Sequence, residues 1–429
     1  MSWIFYYNFI LQSILGAILI INGIDDHYII NKIQYNSTRL LGYYAIMYSI
    51  VAFPIGMLLS NAIFKQKKIS LAFYNYTHKK IHKEVRYNDS IVKMLLVLLS
   101  VICILSVFYV LYTIGNIPLF SLFSGSNTLE LAGFRGDMTR HFPGNEYIKN
   151  IIALGLTPLL SYISYAYKKL DNTTFNKLWF TTMFICSILI VTYSLSKSPL
   201  IVYLLSFIFM KVYLDGSISK KTIAIGGIGA LTIIIFLYVF ISKDINIATL
   251  FRYNSGIFGR IMLSQVSGTF LSFDIFPNSV EHLGFSSISG FLSDILNLNY
   301  SERSARILME YINAGGVEAG TAGVVNSLFI GEAWANFGII GLVLSPIYVG
   351  FVIQSLYLFF LNSPKTPFFV GLFVTYSMSS RVTGGFNDYI YNIDIITKLI
   401  LILVIYGFAS ILNSTLNVTK KLNLYKFSN

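Results

Sequence analysis

The residues best suited to chemistry are a scattered set of arginines and a few isolated acids. Arg135 and Arg140 bracket Asp137 in the stretch FRGDMTRH, with Gly133 and Gly136 allowing close backbone approach. Arg252, Arg260, Arg303 and Arg306 follow within one long segment, residues 242–338, and Arg381 stands further on. A guanidinium is a rigid planar fork of donors that matches phosphate or carboxylate oxygens two at a time. The set therefore reads as anion-binding, or else each arginine pairs with a nearby acid such as Asp137, Glu302 or Glu310. For Arg306 the pairing alternative is specific, because Glu302 and Glu310 sit four residues to either side on a helix. Arg303 has no such partner on its C-terminal side, which makes it the stronger ligand candidate.

Glu332 and Asn336 lie one helical turn apart in FIGEAWANFG, just before an apolar run. An acid near membrane depth is costly, and by default it marks a functional site. Glu332 is thus the first candidate for a general base acting on a hydroxyl, with Glu318, Asp137 and Asp388 as lesser ones. The competing role for Glu332 is an ion pair with an arginine that anchors the helix. Between them lies NAGGVEAGTAG, which lacks the Gly-Lys-Ser/Thr of a phosphate-binding P-loop. Its glycines suit a hinge, a lid or an anion nest. No Asp-x-Asp and no metal-ligand spacing occurs, so neither a metal nor another cofactor is expected. His27, His141 and His282 are isolated and read as surface residues.

The elements that must position these groups are hydrophobic helices. The 429 residues are 55% hydrophobic and only 12% charged, against about 25% charged in soluble proteins. The net charge of +12 is spread over short connectors, which argues against a nucleic-acid partner. Cys103 and Cys186 fall inside apolar runs and read as small buried hydrophobes. The N-terminal MSWIFYYN has no basic leader pattern, so the first apolar run is expected to remain as a helix. A span needs about 20 mostly apolar residues. Candidates lie at 3–22, 40–62, 94–115, 147–167, 178–196, 198–214, 222–241, 339–361, 367–384 and 389–412. The fold class is therefore all-α: a polytopic membrane protein of about ten transmembrane helices with a large, partly helical extracytoplasmic loop. Its regions are 1–241 (seven spans), 242–338 (the loop), 339–412 (three spans) and 413–429 (a tail). Within the loop, Phe258, Met262, Val266 and Phe270 repeat every four residues and predict one helix face.

Lysines and arginines separate by side. Seventeen of the 22 lysines fall in connectors that ten spans place on one face, which the positive-inside rule makes cytoplasmic, together with both termini. Of the nine arginines, only Arg86 falls there. The membrane's lipids are the first expected partner, and the anion-binding arginines lie on the outer side.

Ten spans, the arginine-bearing outer loop, the SLSKSPL turn and the stretch GEAWANFGIIGLVLSPIYVG together resemble bacterial Wzy-type oligosaccharide repeat-unit polymerases of O-antigen and capsule synthesis. The resemblance covers architecture along most of the chain, and its local signature is residues 320–350. No arginine here has the glycine eleven positions later found in some members, and His141 and His282 do not fit the pattern of the related ligases. The resemblance implies a GT-C-type membrane glycosyltransferase in the bacterial cytoplasmic membrane. Its substrates would be oligosaccharides linked to undecaprenyl pyrophosphate, and a chain-length regulator of the Wzz type is a possible partner. The outer arginines would neutralise pyrophosphate, an Asp or Glu would act as base, and Phe134, Phe142, Tyr253 and Trp334 could stack on sugars. The alternatives are a flippase for lipid-linked oligosaccharides, another transporter, or an O-antigen ligase. A segment of about 95 residues exceeds ordinary connection lengths and favours the polymerase over a transporter.

Overall fold

The computed structural model describes residues 4–85, 88–115, 142–194, 197–217, 252–254, 256–379 and 382–426, with short pieces between 219 and 232. A π-helical stretch Ile4–Ile14 runs into α1 (Leu15–Ile21), and α2 is Asn36–Ile63. α3 is Ile69–His78 and α4 is Asp89–Ile114. A second π-helical stretch, Ile148–Leu156, leads into α5 (Thr157–Leu170), followed by α6 (Thr174–Val191) and α7 (Lys197–Asp215). The long segment contains α8 (Gly256–Met262), α9 (Ser267–Ile275), α10 (Gly290–Ile295) and α11 (Ser304–Glu318). The chain closes with α12 (Phe329–Asn362), α13 (Pro367–Ser379), α14 (Asn387–Ile390) and α15 (Ile393–Lys426). Among the described residues the only β pairing is an isolated bridge between Leu328 and Thr383.

Among the described residues six helices are long and apolar enough to cross a membrane: α2, α4, α6, α7, α12 and the segment Asn387–Thr415. The chain is thus a helical membrane protein. The first and ninth predicted spans appear as shorter apolar helices, Tyr7–Ile21 and Pro367–Ser379. The fourth is π-helical in its first half, and most of 222–241 lies outside the described residues. The tail expected from residue 413 continues α15 as helix to Lys426. The single helix predicted over Phe258–Phe270 is two, α8 and α9, separated by a turn at 263–266. Val266 and Phe270 are fully buried, whereas Phe258, on the other side of the break, is exposed.

The chain divides into two compact units that do not follow sequence order. The first comprises Met1–Ile69, Ser242–Phe359 and Ser379–Asn392. Its core joins Phe9, Ile20, Phe53, Phe270, Phe329 and Ile353. A side chain at Gly56 would meet the carbonyl of Ile347, and one at Gly350 that of Phe53. α2 and α12 therefore cross backbone to backbone through small residues, as membrane helices do when dispersion rather than hydrophobicity drives their contact. At one end of this crossing, Gln354 donates to Asn61 Oδ1 at 2.7 Å and Ser60 bonds Ser355 at 3.0 Å. Buried Asp274 of α9 accepts from the backbone N–H of Gln34 and Tyr35 and from Thr38, at 2.9, 3.1 and 3.0 Å. A carboxylate there satisfies donors at the start of α2 and complements its dipole.

The second unit comprises Ser70–Ile241, Phe360–Met378 and Ile393–Asn429. Aromatic rings fill it, among them the stacked pair Tyr213 and Phe373 at 4.3 Å. Lys365, in the connector before α13, is fully buried and donates to the carbonyls of Thr77, Lys79 and Leu214. Burial pulls its pKa down to about 8. It closes the C-terminal ends of α3 and α7, where carbonyls lack helical partners.

Candidate functional site

α12 is two helices joined at Gly338, whose φ of 56° and ψ of −136° suit glycine. A side chain there would also meet His282 Nε2 at 3.0 Å. The short arm, Phe329–Phe337, folds back into the first unit and carries Glu332 and Asn336, both 1% exposed. Phe329 N–H donates to the Val382 carbonyl at 3.0 Å, which holds the arm against the TGGFNDY stretch.

Arg303 stands at the N-cap position of α11 and reaches across this junction. Its Nε donates to Glu332 Oε1 at 2.8 Å and its Nη2 to Oε2 at 2.9 Å, a bidentate pair. Its Nη1 donates to Asp388 Oδ1 at 2.9 Å. Glu332 Oε2 also accepts the Asn387 backbone N–H at 2.8 Å. Burial pulls the Arg303 pKa down, but Glu332 and then Asp388 outweigh it, so the guanidinium is held above its usual range. One guanidinium thus faces two carboxyl groups, one buried and one half-exposed.

Asn336 extends the network. Its Nδ2 donates to Asn387 Oδ1 at 2.8 Å, and its Oδ1 accepts from Ser287 Oγ at 2.9 Å. Asn387 Nδ2 donates to the Ser287 carbonyl at 2.8 Å. A Cβ on Gly385 would lie 1.8 Å from Arg303 Nη2 and 2.2 Å from Glu332 Oε2. Only a residue without a side chain lets this turn approach the ion pair.

The expectation that Glu332 takes a proton from a substrate hydroxyl is not carried by this geometry. Both its oxygens are engaged, and its side chain is 2% exposed. It positions Arg303 instead. Asp388, whose side chain is 49% exposed, is the carboxylate of the pair that is open to its surroundings. The competing role for Glu332, an ion pair with an arginine, is the one seen, and the arginine is Arg303, which has no acid partner at helical spacing on its C-terminal side but finds two from distant segments. Three of its five N–H groups are engaged, so two remain among the described residues.

Of the other expected residues that the structure describes, Arg252, Arg260, Arg306 and Glu318 do not join this cluster. Arg306 donates to the Gly323 carbonyl at 3.3 Å, and no ion pair with Glu302 or Glu310 forms among the described residues. Glu318 is exposed at the end of α11, and Arg252 and Arg260 are exposed at the start of the long segment. Arg135, Asp137, Arg140 and Arg381 lie outside the described residues, as do His141 and Phe134. Of the proposed sugar-stacking rings, Phe142 is buried with the Lys149 ammonium 4.7 Å from its centre. Trp334 is half-buried, donates to the Phe276 carbonyl and packs on Phe273. Tyr253 is exposed, and its hydroxyl bonds Asp26.

His27, expected at the surface, is buried, and burial lowers its pKa to about 4 against the opposing pull of Asp26. Its Nδ1 accepts from Ile29 N–H at 3.4 Å, so Nε2 carries the proton and donates to Ser264 Oγ at 3.3 Å. That polarity makes it a pin between loops rather than a base for Ser264.

Sequence reasoning missed Gly385, Asn387 and Ser287, and it ranked Asp388 low. The signal was present in TGGFNDY, where glycines and polar residues break an otherwise apolar stretch. Searches against protein-family models, curated proteins and solved structures find no match to this chain.

Proposed function

We propose that this membrane protein is a metal-independent glycosyltransferase that polymerises lipid-linked oligosaccharides. The growing glycan passes from undecaprenyl pyrophosphate onto the free end of a new lipid-linked repeat unit, at the outer face of a bacterial cytoplasmic membrane. The fold in this reading is of the GT-C type with about ten spans and both termini cytoplasmic. The observation that carries it is one exposed carboxylate, Asp388, held beside an arginine whose orientation is fixed by a buried second carboxylate.

In this reading an acceptor sugar hydroxyl attacks the anomeric carbon of the donor glycan. The new bond is carbon to acceptor oxygen. The bond that breaks is carbon to phosphate oxygen, and the pyrophosphate leaves with its electron pair. Asp388 takes the hydroxyl proton. Taking up that proton loosens its hold on Arg303 Nη1. Arg303 is then freer to stabilise the leaving anion just as that charge develops. Arg252, Arg260 and Arg306, with Arg135, Arg140 and Arg381, supply further positive charge for two pyrophosphates.

A transporter is the second reading. It is favoured by ion pairs in apolar helices of the second unit, Lys149 with Glu146 at 2.7 Å and Lys398 with Asp394. Purified protein in liposomes with undecaprenyl-pyrophosphate-linked repeat units separates the two. The polymerase reading expects a ladder of lengthened glycans, with Asp388→Asn slowing its formation by about 10²-fold or more. Transbilayer movement of the lipid without any lengthening would overturn it, and an unimpaired Asp388→Asn enzyme would remove Asp388 as the base.

A further inference from the structure

Residues 283–300, LGFSSISGFLSDILNLNY, contain a single charged residue, Asp294. They lie outside every candidate span. Their large apolar side chains nevertheless point outward: Phe285, Phe291, Ile295, Leu296 and Leu298 are all exposed, Phe291 by 63%. Five large apolar side chains exposed within fourteen residues are what an apolar neighbour would cover.

The backbone says where that neighbour is. Leu283 and Gly284 N–H groups donate to the carbonyls of Ala335 and Asn336 at 3.0 and 2.9 Å. The Phe285 and Phe337 rings meet at 5.0 Å. Both contacts lie within three residues of Gly338, where the long arm of α12 begins. That arm opens with Ile339, Ile340, Val343 and Leu344, all exposed and therefore turned to the bilayer in a membrane-spanning helix. Phe285 thus brings the segment beside the start of this apolar arm.

The opposite side of the segment is tied down. Ser287 and Ile288 are buried, Ser293 Oγ donates to the Ser286 carbonyl at 2.9 Å, and Ser289 caps α10 by accepting Leu292 N–H at 3.1 Å. The serines of the segment are thus satisfied inward, while Asp294, Asn297 and Asn299 are exposed beside the apolar side chains, the mixed face of an element at the membrane interface.

We infer that residues 285–298 form an interfacial anchor whose exposed apolar side chains sit among the acyl chains of the leaflet at the Gly338 end of α12. The occupant is lipid, bound as an amphipathic surface element binds it. Because Ser287 also bonds Asn336 and Asn387, this anchor joins the bilayer to the ion-pair site. Under the reading of a lipid-linked substrate, which this last step alone requires, the carrier lipid would reach Asp388 along it.

Spin labels at Phe291→Cys and Ile295→Cys test the anchor in proteoliposomes, with the buried Cys103 and Cys186 replaced by alanine. Leu344→Cys serves as the lipid-facing reference and Glu318→Cys as the aqueous one. The expected result is relaxation by oxygen severalfold stronger than by a water-soluble nickel chelate at 291 and 295, as at 344 and the reverse of 318. Nickel access equal to that at 318 would overturn the anchor, and exclusion of both reagents would also do so by showing that protein covers it. Water access at 344 itself would instead refute α12 as a span. Should the alanine background misfold, Phe291→Trp in the native-cysteine protein is expected to add fluorescence quenched by brominated lipid. Unquenched added fluorescence would overturn the anchor equally.

Discussion

At the scale of single residues, Arg303 matters through the asymmetry of its two acids. Glu332 is buried, doubly bonded to the guanidinium, and also holds the Asn387 N–H. Removing its charge leaves Arg303 partly buried against one weaker partner. Glu332→Gln is expected to lower stability by about 2 kcal/mol, the range for breaking a buried pair discounted for the partial exposure of Arg303. Thermal unfolding of the purified protein in detergent checks this. Asp388→Asn is expected to leave the midpoint close to the parent's, since the exposed end of the pair contributes little. Equal losses for the two variants would contradict the division between a positioning acid and a reactive one.

At the scale of elements, the fold-back at Gly338 makes the site possible. A continuous α12 would carry Glu332 and Asn336 along the axis of the span and away from Arg303. The φ/ψ pair at Gly338 is closed to other residues without strain of about 1–3 kcal/mol. Gly338→Ala is therefore expected to lower the unfolding midpoint and to reduce the yield of monodisperse protein in size-exclusion chromatography. Gly341→Ala would not make a lenient control, because a Cβ there would meet the Ala333 carbonyl at 2.0 Å. Gly407→Ala in α15 would, because nothing lies within 4 Å of its added carbon. Loss at 338 no greater than at 407 would show that the arm does not depend on this break.

For the whole molecule, the charge pattern predicts sidedness. The connector with Lys79, Lys80 and Lys83 is expected in the cytoplasm, and the α11 end at Glu318 outside. Cysteines placed at Lys80 and Glu318 should therefore react differently with a membrane-impermeant maleimide in intact spheroplasts. Glu318→Cys is labelled at once and Lys80→Cys only after lysis. The reverse pattern would invert the protein and remove the outer-face chemistry with it.

The class of this protein and most of its spans were legible in the sequence because both depend on local composition. A run such as Asp89–Ile114 is apolar enough to be a span wherever it packs, and its ends at Asn88 and Gly115 carry their own cap signals. The glycine at 338 was also readable as the start of a span. The pairing of Arg303 was not. Its partners lie 29 and 85 residues away, and no periodicity links them. Local spacing gave Arg306 helical acid partners and gave Arg303 none on its C-terminal side, whereas the tertiary structure engages Arg303 with both Glu332 and Asp388. The reason is that ion pairing is decided by which backbones can approach. Here that approach runs through Gly385 and the fold-back at Gly338, two contacts that exist only once the first unit has assembled.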